Sequence, residues 1–204
     1  EEVAAIREWL KREDTCLLLA PHHDVGFTSD LKQRQVEYLH HGDALVPRQQ
    51  RFSQYTRSLM KALDVPVNNV WGLRPAVVKG TKDIAPLTAF RDLDKLGLLE
   101  NVPTFNFHPH LPHYELTTQD TKSVHLLARQ PIDPDRPHPF TAAGNTEFNC
   151  LLWMPPNEQR AGDVVLVDST NFTTLFGGTD SLSNFWRNIG MSGTCSIVMS
   201  SVAR

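Results

Sequence analysis

The chain has 204 residues, 40% of them hydrophobic and 21% charged, with a formal net charge of -3. This composition excludes disordered, collagenous and disulfide-dense chains, and the length predicts one domain with a core of its own. No apolar run approaches the roughly 18 residues that span a bilayer, and the 20 Lys and Arg are scattered, so neither a membrane nor nucleic acid is an expected partner.

Residues 1 to 12 place Val3, Ile6, Trp9 and Leu10 at helical spacing, with Glu1 and Glu2 at the end where the helix dipole favours negative charge. The helix feeds Cys16 to Ala20, an apolar run without alternation, as expected of a strand covered on both faces. Pro21 to Gln50 shows no sustained period and reads as a long excursion from the sheet. Phe52, Tyr55, Leu59, Met60 and Leu63 form a second helical stripe, stopped at Asp64-Val65-Pro66. Val67 to Trp71 is a candidate strand, and Thr104 to Phe107 another, running into a His-rich loop.

Val124 to Ala128 predicts the next strand, followed by a Pro-rich connector at Pro131, Pro134, Pro137 and Pro139. Phe148 to Met154 and Val164 to Val167 are apolar strand runs. Leu182, Phe185, Trp186 and Ile189 then recur at i, i+3, i+4 and i+7, with Thr179 or Asp180 as N-cap and Gly190 as C-cap. Thr194 to Met199 predicts a closing strand. Strands alternating with helices predict an α/β fold with a mostly parallel sheet over residues 1–204. The chain begins Glu-Glu-Val, without Met, and reads as a processed product or a piece of a longer protein.

Cys16, Cys150 and Cys195 include no CxxC pair, so reduced thiols and a cytoplasmic location are the expectation. The chemistry sits in the histidines. Of nine, seven fall in Pro21-His22-His23-Asp24, His40-His41-Gly42-Asp43 and His108-Pro109-His110-Leu111-Pro112-His113-Tyr114-Glu115. The first and third groups follow apolar runs, as does Asp168-Ser169-Thr170. Ligands in open α/β sheets bind outside the carboxyl ends of strands, so parallel strands would bring His22, Asp24, His108, His110 and Asp168 to one edge.

Neutral imidazoles with a carboxylate suit a divalent metal such as zinc. The expected ligands are drawn from His22, His108, His110, His113 and Asp168, and Asp24 or Glu115 is the expected general base for metal-assisted hydrolysis. The competing reading is structural: histidines on polar loops shape turns and bond to backbone. Gly177-Gly178-Thr179-Asp180 lacks both a dinucleotide fingerprint and a P-loop Lys, and reads as a turn. No GxSxG elbow is present, and no Cys stands at a strand-to-helix turn.

Two family resemblances arise from these residues. The helix into Thr15-Cys-Leu-Leu-Leu-Ala-Pro21, the helix ending Leu59-Met-Lys-Ala-Leu-Asp-Val65, and Gly162-Asp-Val-Val-Leu-Val-Asp-Ser169 resemble the class I glutamine amidotransferase-like superfamily, in its ThuA-like, non-amidotransferase branch. That resemblance implies a flavodoxin-like three-layer sandwich and a domain that binds a ligand or a partner subunit. Pro21-His22-His23 stands where the amidotransferases carry their nucleophilic Cys, so glutaminase chemistry is not implied. Leu17-Leu-Leu-Ala-Pro-His-His-Asp24 is similar to the metal loop of LmbE-like zinc N-deacetylases, which implies His22 as a ligand and Asp24 as the base. Val25 occupies the position of that family's next Asp ligand, leaving His108, His110 or His113 to complete the set. His108-Pro-His110 with Glu115 also resembles the first metal motif of cupins, over eight residues alone.

The function expected from the sequence is a metal-dependent hydrolase of an amide or ester of a small polar, sugar-like molecule. The alternative is a non-catalytic amidotransferase-like domain that binds a ligand or a partner, a second copy of itself or another subunit.

Overall fold

The computed structural model describes residues 1–20, 59–73, 84–106, 111–131, 144–167, 179–191 and 195–196. Helix α1 (Glu2–Trp9) has no fully buried residue. It sits on the surface and packs Ile6 and Trp9, with the buried Leu10 that follows, against the sheet. Arg7 fastens it to the helical residues 59–62 by bonding the Ala62 carbonyl and, at 2.9 Å, the Asp64 carboxylate.

After α1 the chain enters β1 (Cys16–Leu19), all four of whose residues are 0% exposed. An apolar run without alternation is what a strand covered on both faces requires. The other elements in chain order are β2 (Val67–Leu73), β3 (Ile84–Pro86), β4 (Thr88–Ala89), β5 (Thr104–Asn106), β6 (Leu111–Leu116), β7 (His125–Pro131), β8 (Glu147–Met154), β9 (Asp163–Val167), α2 (Thr179–Met191) and β10 (Cys195–Ser196).

The main sheet has the order β10-β1-β9-β8-β7-β4. β10, β1 and β9 run parallel, whereas β9 with β8, β8 with β7 and β7 with β4 are antiparallel. The sheet is therefore mixed, with antiparallel pairing in the majority, and the expectation of a mostly parallel sheet is corrected. For β8 and β9 the physical reason is connection length. Residues 155–162 join β8 to β9 as a tight excursion pinned by reciprocal Asn157–Arg160 backbone bonds of 2.7 and 3.1 Å, and a parallel crossover needs a dozen residues or more.

Both faces of the sheet are covered. On one, Cys16, Leu18, Phe148, Val165 and Val167 pack with Phe185 and Ile189 of α2 and with Leu98, Leu99, Val102 and Phe105. On the other, Leu17, Leu19, Leu152, Leu166 and Met154 meet Leu10, Met60, Val65, Val67 and Tyr114. Helical residues thus flank the sheet on both sides, and burial of this apolar surface is the main stabilising term.

Four sequence expectations change. Gly190 lies within α2, which continues to Met191. Leu111–Leu116, expected as loop, is a strand paired antiparallel with β2. β5 lies outside the main sheet, paired antiparallel with β3. Cys16 is disulfide-bonded, against the expectation of reduced thiols throughout. Among the described residues no helix is long and apolar enough to cross a membrane.

Candidate functional site

The register of β1 and β9 fixes where the expected site residues leave the sheet. Leu17, Leu18 and Leu19 pair with Val164, Val165 and Leu166, so the two strands end side by side. The segments that follow begin with Pro21-His22-His23-Asp24 and with Asp168. His22, Asp24, His108, His110 and Asp168 themselves lie outside the described residues, as do His40 and His41.

At that same edge β8 supplies polar groups. The last pair of the β8–β9 ladder here is Leu151 with Val167, and Asn149 sits two residues further along β8. The residue is 8% exposed, so its polar atoms need partners within the protein. Asn149 Nδ2 donates to the Tyr114 carbonyl at 2.8 Å, and Arg129 Nε donates to Asn149 Oδ1 at 3.1 Å. Arg129 and Asn149 are register partners across β7 and β8, and Thr88 of β4 is the partner of Arg129 on its other side. Thr88 Oγ1 in turn donates to Glu147 Oε1 at 2.8 Å. A polar row therefore crosses three strands, and Arg129 stacks its guanidinium 5.5 Å from the centroid of Phe90.

His113 of β6 joins this row. Its Nδ1 accepts the backbone N–H of Asn149 at 3.1 Å. Burial, and then the charge of Arg129, lowers its pKa to about 4, so the ring is neutral at pH 7 and carries its proton on Nε2. Ligation of a metal through Nδ1 requires that bond to be given up. Glu115, two residues on, is exposed and pairs through its backbone with Asn68. The structure thus brings His113 to the carboxyl edge with Asn149 and Arg129, while Glu115 faces water. No three His, Cys, Asp or Glu side chains gather as a metal-binding group among the described residues.

His125 lies against Trp153 with ring centroids 5.0 Å apart and the rings tilted by 32°. Asn149, Arg129 and the fully buried Gln130 escaped the sequence reading. Their signal was present as polar residues inside apolar strand runs, Phe148-Asn149-Cys150 and Ala128-Arg129-Gln130.

At the opposite edge, where β1 and β9 begin, a cleft of about 610 Å³ is lined by Arg7, Lys11, Asp64, Gln159 and Arg160 over Leu10 and Val164. Its cations are engaged by the protein itself. Arg7 pairs with Asp64 and Lys11 with Glu8. Arg160 donates to the carbonyls of Met154, Pro155 and Gly162, which makes it a brace for the β8–β9 connection.

No protein-family model, curated protein or solved structure matches the chain.

Proposed function

We propose that the chain is a metal-dependent hydrolase acting on an amide or ester of a small polar, sugar-like substrate, with its site at the carboxyl edge of β1 and β9. The observation that supports this reading is the parallel register of those strands, Leu19 opposite Leu166. From their adjacent ends the chain continues into His22 and Asp24 on one side and Asp168 on the other. Carboxyl edges of parallel strands are where open sheets hold their ligands.

His22 and Asp168, which follow β1 and β9, with His108 and His110, which precede β6, would be the residues to hold the ion, three imidazoles and a carboxylate from which zinc could draw its ligands. A divalent ion held there would supply a water of lowered pKa and polarise the substrate carbonyl. Asp24 takes the proton from the attacking water and returns it to the leaving group. His113 is held neutral beside Asn149 and the Arg129 charge. Glu115 is the alternative base.

The second reading is a non-catalytic, flavodoxin-like domain of the amidotransferase-like kind, binding a ligand or a partner subunit. What favours it is the parallel trio β10, β1 and β9, with α2 standing between β9 and β10 in the chain as in a β-α-β unit.

Elemental analysis of protein purified without chelator separates the two. About one zinc, manganese or iron per chain, lost in His110→Ala with the fold retained, supports the hydrolase. A metal content near zero after incubation with zinc overturns it and leaves the binding domain.

A further inference from the structure

Cys16 is fully buried at the start of β1 and is disulfide-bonded. The sequence holds three cysteines. Cys150 retains its thiol hydrogen, since its Sγ donates to the Ala128 carbonyl at 3.3 Å. Cys195 opens β10, and the backbone register sets it directly opposite Cys16. Neighbouring strands run about 4.8 Å apart, inside the range of about 4.4–6.8 Å between Cα atoms that a disulfide bridges. Register partners on adjacent strands also share a face of the sheet.

We infer that Cys16 and Cys195 close a disulfide that fastens β10 to β1, a modification site that responds to the thiol–disulfide poise of the surroundings. The bond forms by exchange with a small disulfide such as oxidised glutathione. Cys16 and Cys195 each give up a proton and together two electrons, a sulfur–sulfur bond forms between them, the bond of oxidised glutathione breaks, and two molecules of glutathione leave.

The fold gives this bond work to do. β10 is an edge strand of two residues, held to β1 through the register pairs Cys16–Cys195 and Leu17–Ser196. So short a strand contributes little pairing of its own. The cross-link closes nearly the whole chain, from residue 16 to residue 195, and long closed loops restrict the unfolded chain most. Cys16 belongs to the same core as Phe185 and Ile189 of α2, so the cross-link also anchors the connection from α2 into the edge.

The test equilibrates the full chain in buffers of graded reduced-to-oxidised glutathione ratio, quenches in acid, alkylates in denaturant and weighs the intact protein. Expected is a single two-electron transition from three alkylated thiols to one, with a cross-linked peptide pair containing Cys16 and Cys195. Cys150→Ser keeps the transition and Cys195→Ser abolishes it. The oxidised form melts higher than the reduced one by on the order of 10 °C. Three alkylated thiols at the most oxidising ratio, glutathione adducts in place of an internal bond, or a cross-link that includes Cys150 overturns the pairing. An internal bond without a rise in melting temperature overturns its role in fastening β10.

Discussion

The backbone N–H of Asn149 in β8 donates to Nδ1 of His113 in β6 at 3.1 Å, and this bond ties the two-stranded β2–β6 sheet to the main sheet. It fixes the tautomer of the imidazole. Burial, and then the nearby charge of Arg129, disfavours the protonated ring, which is why the folded pKa lies at about 4.

That depressed value has a pH signature. The unfolded chain takes up a proton at His113 near pH 6.5 and the folded chain only near 4. Between those values the unfolded state binds more protons, so stability is fully present above pH 6.5 and is lost as pH falls through 4. His113→Gln removes this share of the acid sensitivity, about 2 kcal/mol between pH 7 and 4 after screening. Urea denaturation at graded pH measures it, and equal slopes for the two proteins contradict the assignment.

Asn149 satisfies two neighbours at once, accepting from Arg129 and donating to the Tyr114 carbonyl. Asn149→Ala removes both bonds, though Arg129 keeps Glu147 at 3.8 Å, and destabilises the protein by about 1–3 kcal/mol. A chemical denaturation midpoint unchanged from wild type would show the two bonds to be replaceable by water.

Gly162 and Gly190 are expected to respond to alanine in opposite directions. A Cβ at Gly162 would stand 2.1 Å from Thr15 Oγ1 and 2.8 Å from the Thr15 carbonyl oxygen, which already accepts from Asp163 N at 2.8 Å. Backbone cannot yield cheaply there, so Gly162→Ala costs about 1–3 kcal/mol. A Cβ at Gly190 meets nothing within 4 Å, and Gly190→Ala inside α2 stabilises by about 0.5–1 kcal/mol. Paired thermal melts give both signs.

A metal held by the folded chain alone stabilises it by mass action. On the proposed hydrolase reading, a chelator therefore lowers the melting temperature of the wild type by several degrees. His22→Ala melts where the chelated wild type melts and shows no further drop with chelator. A wild-type melt indifferent to chelator and to added zinc speaks for the binding domain instead.

Much of the scaffold was legible from local pattern. Cys16 to Leu19 and Val164 to Val167 announce doubly covered strands because every residue in them is apolar, and α2 announces itself through Leu182, Phe185, Trp186 and Ile189 at helical spacing. The strand Leu111–Leu116 was hidden because Pro112 and His113 read as loop residues. What makes that segment a strand is its ladder with β2, a partner some forty residues away in the chain. The polar row of Thr88, Arg129 and Asn149 was hidden for the same reason, since register across three strands has no local signature.

By itself the sequence determined the apolar runs, the amphipathic stripes and the grouping of histidines, because these depend on the order of side chains within a few residues. Tertiary structure alone decided that the sheet is mixed, that β5 stands apart from it, that Asn149 meets His113, and that the backbone of Cys195 lies opposite Cys16. Those outcomes depend on which strands pair and in which direction, and an apolar run is equally compatible with a parallel or an antiparallel neighbour. Connection length and the packing of whole layers choose between them.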